Sequence, residues 1–230
     1  MQDPSSALDL VLSGDASLYA IVGLSLLVSL SATMLAALLG APLGAVIALS
    51  RFPGRQSLIV ILNALMGLPP VVVGLAIYLL LSRSGPLGTF GLLFTPQAMV
   101  ITQTILVLPI IAALTRQTVE DLWTQYRDEF AAMNVRPLHR VRALLWDARF
   151  SLVTALLAGF GRAAAEVGSI IIVGGNIEGY TRTMTTAIAL ETSKGNLQLA
   201  LGLGIVLLGI VLAVNVAAWA VKQAGARFEH

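Results

Sequence analysis

"QYRDEFAAMNVRPLHRVRALLWDAR", residues 125–149, is conspicuous because the chain around it is almost free of charge. Between Arg116 and Arg149 lie 11 of the 26 Asp, Glu, Lys and Arg residues in a chain of 230. Elsewhere, four windows contain none of these: Ala16–Ser50, Gln56–Ser82, Ser84–Thr115 and Gly195–Val221. Each exceeds the roughly 20 residues that a helix needs to cross a hydrocarbon core of about 30 Å. A fifth apolar run, Phe150–Gly174, is interrupted only by Arg162 and Glu166. The charged stretch is therefore the part of the chain that must stay in water.

Composition agrees. The chain is 57% hydrophobic and 11% charged, with a mean hydropathy of +0.87, whereas an ordinary globular domain is about 25% charged. A soluble domain of this size would have hardly any polar surface. The expected fold class is all-α: a polytopic membrane helix bundle, one transmembrane domain over 1–230, with about five spans near 17–50, 56–82, 92–115, 150–174 and 197–221. The charged loop 116–149 and a loop with a short helix, 175–195, connect them. The first 15 residues contain Asp3, Asp9 and Asp15 but no Lys or Arg, so they lack the basic start of a cleaved signal peptide. The absence of cysteine excludes disulfides and Cys-ligated metal. A net charge of +2 with a pI near 9.3 is explained by membrane topology rather than by nucleic acid.

Short cytoplasmic loops carry an excess of Lys and Arg. With five spans, one side collects Arg51, Arg55, Arg116, Arg127, Arg136, Arg140, Arg142, Arg149, Lys222 and Arg227. The other has Arg83, Arg182 and Lys194, and Arg162 lies inside a span. This places the N-terminus outside, the C-terminus inside and the charged loop in the cytoplasm. Within the spans, Pro42, Pro69-Pro70 and Pro109 remove backbone donors, giving either plain kinks or helices that splay around a pathway. Gly40 and Gly44, with Gly161, Gly168, Gly174 and Gly175, offer small surfaces for close packing.

Arg162 and Glu166 are the charges deep in a span, on one helical face at i, i+4 spacing. Intramembrane ionisable residues face the bundle interior or a wet cavity and pair with one another; the two form a structural ion pair, or Arg162 lies beside a permeation path. The following "VGGNIEGYTRTMTTAIALETSKGN" contains Gly-Gly-Asn turn residues and hydroxyls at Thr181, Thr183, Thr185 and Thr186. With Arg182 these suit an oxyanion, or form a gate that meets an external partner. No catalytic set emerges. His139 and His230 make no metal or general-base pair, GxSxG and HExxH are absent, and neither Lys194 nor Lys222 sits in a GxxxxGK[ST] phosphate loop. No cofactor or metal is expected in this chain, and no catalytic residue.

The charged loop resembles that of the permease subunits of bacterial and archaeal ABC importers, which carries E-A-A-x3-G and docks in a groove of the ATPase subunit. In the preferred register Asp128 takes the acidic position, Glu129 and Phe130 replace the two alanines, and Asn134 replaces the glycine. Asn tolerates the left-handed conformation that such a turn needs; a register starting at Glu129 puts β-branched Val135 there instead. Downstream, "DARFSLVTALLAGFGRAAAEVGSIIIVGGNIEGYTRTMTTAIALETSKGN", Asp147–Asn196, is similar to tungstate-type permeases, whose pattern runs G-F-G-R, E-V-G, V-G-G-N-I and T-R-x-M-T-T-A-I-A-L-E-T-S-x-G. Upstream, "RFPGR" and "GLPPVVVGLAIYLLLSRSGPLG" resemble the molybdate/tungstate group.

The resemblance implies an ABC importer permease fold with a coupling helix in the charged loop, working as two copies of this chain with two ATPase subunits and an external oxyanion-binding protein in the cytoplasmic membrane of a prokaryote. ATP and Mg would be bound by the partner ATPase. It assigns Asp128, Glu129, Phe130 and Asn134 to ATPase coupling, and Arg162, Glu166, Thr181, Arg182, Thr185 and Thr186 to the pathway or gate. Tungstate is the expected cargo, with molybdate or another oxyanion as the alternative. An ATP-independent transporter or channel is a different class; it usually shows internal repeats and midplane carboxylates, and a membrane scaffold is a third.

Overall fold

The computed structural model describes residues 16–226, and the acidic segment 1–15, Arg227 and His230 lie outside the described residues. Every regular element among the described residues is helical. In chain order these are α1 (Ala16–Leu49), α2 (Arg55–Met66), α3 (Pro70–Leu81), a 3-10 turn at Gly88–Phe90, α4 (Pro96–Ala132), α5 (Pro137–Asp147), α6 (Arg149–Ala164), α7 (Gly168–Gly174), α8 (Met184–Ser193) and α9 (Leu197–Ala226). Three stretches, Leu18–Leu49, Pro96–Ala132 and Leu197–Ala220, are long and apolar enough to cross a membrane, and two bent pairs raise the number to five if each pair is one span. The protein is an all-α polytopic membrane bundle.

The run 56–82 is not one helix. It divides into α2 and α3. Gly67 ends α2, extended Pro69 precedes α3, and Pro70 occupies the first helical turn. Two successive residues without an N–H, each restricting its predecessor, account for the break. The run 150–174 likewise divides into α6 and the seven-residue α7, with Ala165–Val167 between them. The third span begins at Pro96 rather than 92 and continues unbroken to Ala132. The first part of the charged segment is therefore the end of a long helix, because Arg116–Ala132 contains neither Gly nor Pro to stop it. Pro109 is accommodated inside that helix and Pro42 inside α1.

The chain forms two compact units. The first consists, among described residues, of 16–32, 69–103 and 161–214. In it α3 packs on α7, and the approach is close enough that a Cβ on Gly74 would lie 2.8 Å from Ser169 Cα. Leu18, Met184, Ala187 and Leu203 form a buried cluster joining α1, α8 and α9. The α7 end is fixed by Gly175 at φ 72° and by Phe94 N–H donating to Val173 O at 2.9 Å.

The second unit consists of 33–68, 104–160 and 215–226. Ala45, Ala48, Val119 and Leu144 form its buried cluster, with Trp123, Tyr126, Phe130 and Val141 packed against it. A Cβ on Gly44 would run into the backbone of Ala112 and Arg116, so α1 and α4 approach backbone to backbone here. Arg55 donates from Nε to Ile47 O at 2.9 Å and from Nη2 to Glu120 Oε1 at 2.8 Å, and Arg116 pairs with the other Glu120 oxygen. Arg55 thereby covers a carbonyl left open in the last turn of α1, where the helix dipole also favours a cation.

Candidate functional site

The break between α6 and α7 exists because Glu166 replaces the missing helical bonds. Its side chain is 5% exposed; Oε2 accepts from Arg162 Nη1 at 2.7 Å and Oε1 from the Ser169 N–H at 3.0 Å. Its backbone oxygen accepts from the Thr185 hydroxyl at 2.7 Å, tying α8 to the same point. A buried carboxylate is tolerable only with such compensation, since removing one member of a buried ion pair costs about 3–5 kcal/mol. The Arg162 side chain remains 28% exposed, so its guanidinium is partly open to whatever lies beside α6.

Beside this junction is a small cavity of about 10 Å³, lined by Ser25, Val28, Ser29, Gln103, Ala163, Ala164, Glu166, Thr183, Met184 and Thr185. All belong to the first unit. Ser25 Oγ donates to Ile21 O at 2.8 Å and accepts from Met184 N–H at 2.7 Å. Thr183 caps α8: its N–H donates to Thr186 Oγ1 at 3.0 Å, while the Thr186 hydroxyl donates to Thr183 O at 3.1 Å. The lining offers hydroxyls and an amide beside the Glu166 carboxylate, whose charge is matched by Arg162.

Of the residues singled out in the sequence, Arg162, Glu166 and Thr185 come together. Thr181 and Thr186 lie nearby but are committed to backbone. The Thr181 hydroxyl donates to Gly174 O and accepts from Ile177 N–H, closing the 174–181 loop. Arg182 pairs with Glu178 at 3.5 Å. Farther along α8, Glu191 accepts from Lys194 at 2.9 Å and Asn196 at 3.1 Å. The Lys194 bond is the largest influence and holds the Glu191 carboxyl below its ordinary value, against the upward push of burial. Ser25, Ser29 and Gln103 were not singled out. An uncharged polar residue in a charge-free window is usually a back-bonded passenger; Gln103 alone, too long for that role, carried a signal.

At the other end of α4, Asp128 is 93% exposed and Glu129 is exposed, while Phe130 turns inward and stacks on Trp123 at 6.0 Å. Asn134 has φ 46°, in the left-handed region, and Val135 N–H returns to Phe130 O at 3.2 Å, the hydrogen bond of a Schellman ending. Pro137 then starts α5 in the first helical turn. The acidic pair is thus presented at a helix end whose direction is set by a buried aromatic and a fixed turn.

A polytopic helical bundle with a polar interior junction and a water-facing charged helix end has the build of a membrane transport subunit. The chain is 44% identical over 203 residues to the probable anion ABC transporter permease protein of Haloferax volcanii, covering 86% of this chain and 88% of that protein. It is 36% identical to the tungstate uptake system permease protein TupB of Peptoclostridium acidaminophilum, over 95% of this chain and 96% of the relative. TupB of Campylobacter jejuni is 40% identical over 71% and 69%. No protein-family model matches. The chain belongs to the ABC transporter permease family: it is a transport subunit and a multi-pass membrane protein.

Proposed function

We propose that this chain is the membrane-spanning subunit of an ATP-driven importer that carries tungstate across the cytoplasmic membrane of a prokaryote. The observation that carries this is the match, over nearly the whole chain, to permeases named for tungstate uptake. Two copies of the chain work as one permease domain each, with two ATPase subunits that bind ATP and Mg and an oxyanion-binding protein outside. The N-terminus is outside and the C-terminus inside, as the ten-to-three division of cations supports. Asp128, Glu129, Phe130 and Asn134 dock on the ATPase, and its closure is passed through α4. Arg162, Glu166, Thr181, Arg182, Thr185 and Thr186 border the path or its gate, with Arg162 supplying positive charge toward the anion.

The test is uptake into proteoliposomes holding the chain, its ATPase and its binding protein, supplied with tungstate, molybdate or sulfate. ATP-dependent accumulation with tungstate preferred is the expected result. Preference for molybdate would move the cargo, and accumulation without ATPase would overturn the class.

A further inference from the structure

One residue that lines the cavity of the first unit has an unmet chemical demand. Gln103 is 3% exposed, and its Nε2 donates to Ala163 O at 2.9 Å. That bond sets the orientation of the amide and leaves Oε1 buried with no hydrogen-bond partner. A buried acceptor left unpaired costs about 1–3 kcal/mol. Around the same cavity the Ser25 proton is spent on Ile21 O and the Thr185 proton on Glu166 O. What Gln103 Oε1 calls for is a small molecule that brings its own hydrogens. Its free space, about 10 Å³, is roughly that of one water centre.

We infer that this cavity is a binding site for one resident water, which donates to Gln103 Oε1 and to a hydroxyl oxygen of the surrounding ring. Buried waters of this kind typically make about three hydrogen bonds to groups that otherwise have none. The water links α1 through Ser25, α4 through Gln103, the α6–α7 break and the cap of α8, elements the sequence holds up to 159 residues apart. A deprotonated oxyanion is excluded on two counts: the space is too small for a tetrahedral ion, and the ion has no hydrogen for Gln103 Oε1. On the reading of the chain as an oxyanion permease, this junction must be taken apart before cargo passes at this point; occupancy by water does not depend on that reading.

Radiolytic hydroxyl footprinting of the whole chain in lipid nanodiscs, read by mass spectrometry, tests it. Radicals form in place from bound water, so a buried methionine beside a water is oxidised while a dry one is not. Met184 lines the cavity at 2% exposure; Met99, in the same unit, is fully buried and does not line it. Met184 should oxidise several-fold faster than Met99 in the unmodified protein, a ratio that needs no variant. Gln103→Leu, in protein that retains its helical circular dichroism, should bring Met184 down to the rate of Met99. Equal rates in the unmodified protein, or a ratio untouched by Gln103→Leu, would overturn the assignment. Protection of Met184 by added tungstate would overturn it too, by placing an anion where the water is assigned; an unchanged ratio is expected. Because uptake is not measured, failure here leaves the transport reading standing, and failure of transport leaves the water standing.

Discussion

In the first unit polar groups are hidden. Ser25, Ser29, Gln103, Glu166, Thr181, Thr183, Thr185 and Thr186 are each at most 9% exposed, and they bond mainly to backbone and to one another. In the second unit the charges are displayed. Asp128 is 93% exposed, Glu129, Arg136 and Arg142 are exposed, and apolar packing of Phe130, Trp123 and Leu144 lies beneath them. One chain thus treats polarity in two ways: as internal wiring where a membrane would otherwise forbid it, and as surface where a soluble partner can reach it. The difference teaches where each kind of substitution should be felt, in stability for the first unit and in coupling for the second.

The comparison breaks most readily at the Arg162–Glu166 pair. Glu166→Leu leaves a partly buried guanidinium and the buried Ser169 N–H without their acceptor, and we expect a loss of about 3 kcal/mol in detergent unfolding, whereas Arg162→Met with Glu166→Met together should recover most of it. If Arg162 also faces the anion, uptake stays low in the stable double variant; recovery of both stability and uptake would make the pair structural only. Gly74→Val is next. With Ser169 Cα 2.8 Å from the added Cβ, overpacking should cost about 1–3 kcal/mol, visible as a lowered melting temperature.

The second unit offers the sharper contrast. Phe130→Ala should cost about 1–2 kcal/mol by removing half-buried surface and the Trp123 stack. Asp128→Ala, at an exposed position, should stay within about 0.5 kcal/mol and yet reduce uptake. If the two variants affect stability alike, the division between packed support and displayed charge fails.

How much of this was legible in the sequence follows from which signals are local. Helix content and apolar runs are local, so the bundle was readable from charge-free windows, and Asn134 pointed to a left-handed turn because few other residues adopt one. The division of 56–82 into α2 and α3 was only partly readable, because Pro69-Pro70 fits either a kink within one helix or a stop between two. The α6–α7 break escaped because it is built by Glu166 reaching back to Arg162 and forward to Ser169, and the spacing alone equally fits an unbroken helix. Gln103 and Ser25 meet Ala163 and Met184 only through the fold.

The smallest expected effect lies on α8. Glu191 has its carboxyl lowered by Lys194, so its contribution is complete above the ordinary carboxylate value and is lost as pH falls through the lowered folded value. Hydrogen exchange of Glu191–Asn196 should accelerate only on acidification below the usual carboxylate range, and Lys194→Met should move that onset to higher pH. An onset indifferent to Lys194 would remove the pair from the account.

The central claim, that displayed charge at the end of α4 converts ATP hydrolysis into transport, is tested most directly by tungstate uptake per ATP hydrolysed in proteoliposomes carrying Asp128→Arg with Glu129→Arg. The account predicts a correctly folded protein whose uptake per ATP falls at least about tenfold. Uptake per ATP equal to that of the unmodified chain would contradict it.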